Sequence, residues 1–248
     1  MLDGIYSEFL KLKRTGCYVC VLLTSFICLY FSTMNKQSVT SLNWYGYFFN
    51  FEFQAFLIFY AMVIPNIVAM VFLREFSCNT ASIEFSYPKG RFGAFINKFI
   101  ISILMIAVIY IISYICIVLS GFVLLKTPLT LAVLGNHIKV FLVSFAFQVA
   151  LVPLAAMVAL LGKSMIISFV YSIALIIGNA SYMLGVKYQE FIFSVLPAAP
   201  IAKFQSTICQ IPVPLNAVIT RLDIYLGIFA FLIGTTACLI FYRKANIH

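Results

Sequence analysis

FIISILMIAVIYIISYICIVLSGFVLL, residues Phe99–Leu125, is an unbroken apolar run without one Asp, Glu, Lys or Arg. About 20 apolar residues suffice to cross a bilayer as a helix, whereas strands of a membrane barrel alternate over about 10. The whole chain agrees with this stretch: 64% of its 248 residues are hydrophobic and only 9% are charged. Its mean hydropathy is +1.09, and soluble domains are only about 45–50% apolar. The sequence therefore predicts an all-α membrane protein forming a single transmembrane domain over residues 1–248.

Working outward, apolar runs place six spans at about 17–33, 53–73, 99–125, 138–161, 164–184 and 223–242. Ahead of the first, Leu2, Ile5, Tyr6 and Phe9 share one helical face, and Lys11, Lys13 and Arg14 follow them. Residues 1–14 thus read as an interfacial helix. A signal peptide is the competing reading, but no small-residue cleavage site follows the first apolar run. Trp44, Tyr45, Tyr47, Phe48 and Phe49 suit an aromatic belt in the connector before span 2, and Pro65-Asn66 predicts a kink within that span. Lys126, Pro128 and His137 fall in a connector before span 4. Gly162-Lys163 reads as a tight turn. Residues 185–222 form an external loop whose segment Phe191–Leu196 dips into the interface.

Residues 74–98, REFSCNTASIEFSYPKGRFGAFINK, are the long polar interval between spans 2 and 3. Phe76, Thr80 and Ile83 fall on one side of a short amphipathic helix over Glu75–Phe85, which Pro88 and Gly90 would end. A solvated connector is the alternative. With the N-terminus inside, ten of the 16 Lys and Arg residues are cytoplasmic, and six spans return the C-terminus to the same side.

The net charge of +9 is scattered in short groups beside apolar runs, which suits membrane lipid and gives no nucleic-acid surface. Seven cysteines form no disulfide framework, and Cys17-x-x-Cys20 opens an apolar helix as a packing feature. Gly162-Lys163-Ser164 ends like a phosphate-binding loop, but Met157 stands where the first glycine is required. No HExxH pair or GxSG serine is present, so the chain offers no catalytic or metal constellation and is read as a non-enzyme needing no cofactor of its own. All seven acids fall at span edges or in connectors, which disfavours an ion-coupled carrier. The polar groups inside spans, Asn66, Gln148 and Asn179, are neutral. They suit either hydrogen bonds between helices or the lining of a translocation surface.

Glu75, Thr80, Pro88, Arg91 and Lys98 resemble the E-x3-G-T-x7-P-x2-R-x6-K pattern between spans 2 and 3 of ATP-binding-cassette type-2 permeases, with Asn79 where that family has glycine. SEFLKLKRT near the N-terminus is similar to the entry helix of the branch that handles lantibiotics and bacitracin. The resemblance implies a bacterial cell-membrane permease whose 74–98 loop is a coupling helix, with Phe76, Thr80, Ile83 and Phe85 inserting into an ATPase and Arg74, Glu75 and Arg91 orienting the loop. It also implies two cytoplasmic ATPase subunits that bind ATP and Mg, a second permease subunit as homo- or heterodimer, and an amphipathic antimicrobial peptide exported for immunity or resistance. An ion-coupled transporter or channel, and a non-transporting scaffold or sensor, are the alternatives.

Overall fold

The computed structural model describes residues 2–13, 16–33, 43–77, 90–183, 192–201 and 220–244. All regular structure among them is helical. The amino-terminal helix α1 (Leu2–Lys13) and α2 (Cys17–Thr33) are followed by a long helical stretch. It comprises α3 (Trp44–Gln54), a π-helical turn (Ala55–Phe59) and α4 (Tyr60–Ser77). Then come α5 (Gly90–Leu124), α6 (Leu131–Gly162), α7 (Met165–Met183), a 3₁₀ turn (Phe193–Ala198) and α8 (Arg221–Lys244). Four stretches are long and apolar enough to cross a membrane, Trp44–Phe76, Arg91–Leu124, Leu131–Gly162 and Arg221–Arg243, and Met165–Ser181 is a shorter apolar helix.

Helix α2 has the bounds expected of the first span, and α7 and α8 start within two residues of theirs. The other three start early, at Trp44, Gly90 and Leu131 instead of Phe53, Phe99 and Ile138. The aromatic group ahead of Phe53 is therefore a helix and not a belt on a connector. Trp44, Tyr47, Phe48, Phe51, Glu52 and Ala55 recur at helical spacing and are all buried. Likewise His137 belongs to α6, where it shares the buried face of Val133, Val140, Phe141, Ser144 and Gln148. Hydropathy broke off at Glu52, Lys98 and His137, yet the fold hides all three inside.

Close approaches between helices are set by small residues. A Cβ on Gly234 of α8 would lie 2.5 Å from Leu154 N and Pro153 C of α6, so only glycine lets these backbones meet. Beside it, Cys238 Sγ reaches Pro153 O at 3.5 Å. At the end of the bundle where α3 starts, the Trp44 ring lies over Gly121 of α5, and its Nε1 donates to Thr127 O at 2.7 Å. Hydroxyls add cross-links: Tyr47 to Ser120 at 2.7 Å, Ser25 to Ser113 at 2.9 Å and Tyr110 to Ser144 at 3.0 Å. The expected tight turn after α6 is present. Lys163 adopts φ 48°, and its N–H donates to Ala159 O at 2.9 Å, closing the helix with a left-handed residue.

Candidate functional site

Buried charge collects at both ends of the stretch Trp44–Ser77. At its C-terminal end, Glu75 (3% exposed) pairs with Lys98 (1% exposed) of α5, and Lys11 of α1 reaches the same carboxylate at 3.2 Å. Lys11 also pairs with the buried Glu8 one turn back. Helices α4 and α5, which flank residues 78–89 in the chain, and α1 are thereby tied to one carboxylate. The α8 end joins them: Arg91 donates to Tyr242 O at 3.2 Å and Arg243 O at 2.8 Å, a cation on carbonyls at a helix C-terminus. Phe76 packs edge-on to Phe241 with ring centroids 5.8 Å apart, both rings half-buried against the core. Of the residues expected to engage an ATPase, Arg74, Glu75, Phe76, Arg91 and Lys98 thus gather in one place, while Thr80, Ile83, Phe85 and Pro88 lie outside the described residues.

The mid-span amides are separate. Asn66 Nδ2 donates to Met62 O at 2.6 Å and to Ser172 Oγ of α7 at 2.9 Å, and Ser168 Oγ donates to Pro65 O at 3.1 Å. Asn179 Nδ2 donates to Leu57 O within the π turn at 2.5 Å. A π turn disturbs the regular carbonyl ladder, and here a side chain from α7 serves one of its carbonyls. Gln148 is buried on α6. Between α5 and α6 a groove of about 290 Å³ is walled by Tyr110, Ile111, Tyr114, Phe141, Leu142 and Phe145.

Sequence reading missed the opposite end. Glu52 (1% exposed) lies in α3, and its Oε1 is 2.7 Å from Nδ1 of His137 (6% exposed) in α6. The statement that every acid sits at a span edge or in a connector is thus corrected: Glu52 is enclosed eight residues into the helix that begins at Trp44. The available signal was periodicity, since both residues continue the apolar faces of their helices.

These features define a multi-pass helical membrane protein. The family model described as ABC-2 family transporter protein matches residues 4–181, and the chain belongs to that family. It is accordingly a permease-type membrane subunit of an ABC transporter, a class that works with ABC ATPase subunits. Among curated proteins, none matches the chain.

Proposed function

We propose that the chain is the permease of an ATP-driven exporter that removes an amphipathic antimicrobial peptide, of the lantibiotic or bacitracin kind, from a bacterial plasma membrane. It would have six spans, with α2 and α7 completing the set, and both termini in the cytoplasm. Two ATPase subunits supply the energy from ATP and Mg, and a second permease, a copy or a relative, completes the pore. Residues 74–98 act as the coupling segment, with Thr80, Ile83 and Phe85 entering the ATPase.

The observation that carries this reading is the Glu75 cluster. Residues 78–89 link α4 to α5 in the chain, Glu75 and Lys98 pair at the ends of those helices, and Lys11 ties α1 to the same point. A push on the loop would then move three helices together as levers. Asn66, Gln148 and Asn179 would line the translocation surface once the helices part, and the groove between α5 and α6 suits an apolar substrate face or a lipid chain. Family membership favours this over an ion-coupled channel or a silent scaffold.

The test is purification in mild detergent of the native chain and of an Ile83→Asp, Phe85→Asp variant, with identification of bound proteins. The wild type should retain a Walker-motif ATPase and the variant should lose it. Equal capture and equal peptide resistance in both would overturn the coupling role.

A further inference from the structure

The groove between α5 and α6 has Ile111, Ile115 and Leu142 among its walls, all exposed on the outside of the bundle. Two tyrosines also line it, but their hydroxyls are spent inside the protein. Tyr110 is hydrogen-bonded to Ser144 Oγ at 3.0 Å, and Tyr114 donates to Leu134 O at 3.1 Å. What remains facing the groove is hydrocarbon and ring surface. A peptide laid along it would leave its own backbone amides and carbonyls without partners, which a water-free setting penalises. An acyl chain has no such groups to lose. At 1.5 Å per residue, the wall from Ala107 to Ile115 offers that chain about 12 Å.

One charge stands beside this surface. Lys139 follows the groove residue Ile138 and precedes another, Leu142, by about one turn, and it is exposed. It lies eight residues into α6, about 12 Å from Leu131. Residues 90–162, which hold both helices, contain no Asp or Glu, and Lys139 has no ion pair among the described residues. A cation among exposed apolar side chains of a membrane-crossing helix is costly unless it meets an anion or reaches water. The anion that arrives joined to a hydrocarbon chain is a phospholipid phosphate. We propose that the α5–α6 groove binds one anionic phospholipid, with an acyl chain along Ile111, Ile115 and Leu142 and the headgroup phosphate on Lys139. None of these residues belongs to the coupling segment.

The full chain in nanodiscs of phosphatidylglycerol and phosphatidylcholine in equal amounts, with a photoreactive diazirine on the acyl chain of one lipid or the other, reads the site by mass spectrometry of labelled peptides. The phosphatidylglycerol probe should label the groove about fivefold more than the phosphatidylcholine probe, the attraction of one lysine for an anionic headgroup. Exposed residues elsewhere, such as Phe26 of α2 and Ile173 of α7, should take both probes alike. Lys139→Gln should bring the two probes level at the groove, and Lys139→Arg should keep the preference. Equal labelling of the groove by both probes in the wild type overturns the proposal and needs no variant, as does labelling no denser there than on α2 and α7. A preference that survives Lys139→Gln overturns the phosphate contact. A photoreactive lantibiotic that labels the groove and excludes both lipids would give the surface to the substrate and overturn the lipid assignment. No ATPase takes part, so failure here leaves the exporter reading standing.

Discussion

Glu52 and Glu75 are carried by one helical stretch, roughly 34 Å apart along its axis at 1.5 Å per residue, and each is buried against a base from another helix. The same stretch therefore senses α6 at one end and α1 and α5 at the other.

Glu75→Ala should destabilise the chain by about 3–5 kcal/mol, because it leaves the buried Lys98 ammonium without its counter-charge. Glu75→Leu combined with Lys98→Met should recover most of that loss, since apolar side chains of similar volume need no desolvated charge. Thermal unfolding in nanodiscs measures both. A double variant no more stable than Glu75→Ala would show that Lys11 and Glu8 dominate the cluster.

Gly234→Ala should push α8 off α6, because its Cβ would stand 2.5 Å from backbone atoms that have no rotamer to yield. A loss of about 1–3 kcal/mol is expected. Gly135→Ala is the matched control: it lies in α6 with nothing within 4 Å of its Cβ position. There the better helix propensity of alanine should be neutral or stabilising by up to about 1 kcal/mol. Opposite signs for the two substitutions in one unfolding assay would confirm the contact.

Asn179→Leu removes the amide that serves Leu57 O in the π turn. The abandoned carbonyl should cost about 1–3 kcal/mol. Hydrogen exchange should rise at the backbone amides of Ala55–Phe59 before it rises elsewhere in α4. Unchanged exchange there would mean the turn needs no help from α7.

Lys163→Gly should stabilise the chain by about 1 kcal/mol, since φ 48° is strained for a residue with a Cβ and free for glycine. Unfolding of this variant at or below the wild-type temperature would indicate that the exposed lysine itself makes a useful contact with the membrane surface.

What could be read from the sequence follows from where partners lie. Helix α2, α7 and α8 are legible because apolar character alone delimits them, and Gly162-Lys163 is legible because a turn is local. The starts of α3, α5 and α6 are not. Their polar residues look like exits to water until a partner far along the chain is known, such as His137, 85 residues from Glu52. Asn66 and Asn179 stood out as polar groups in apolar runs, but their acceptors, Met62 O and Leu57 O, leave no mark in composition. The π turn has no sequence signature here, since Ala55–Phe59 is as apolar as the α-helix that continues from it. Glu75, Arg91 and Lys98 stand close in the sequence, but their packing depends on α1 and α8, which lie far from them along the chain.

The docking of α1 also orders events during synthesis. Lys11 leaves the ribosome well before Glu75, its partner 64 residues on, and Lys98 follows later still. Helix α1 is thus made before the partners it docks on, and its seat is complete only once α5 has been inserted. A chain stalled before Lys98 should expose Lys11 to amine-reactive labels, and completing α5 should shield it.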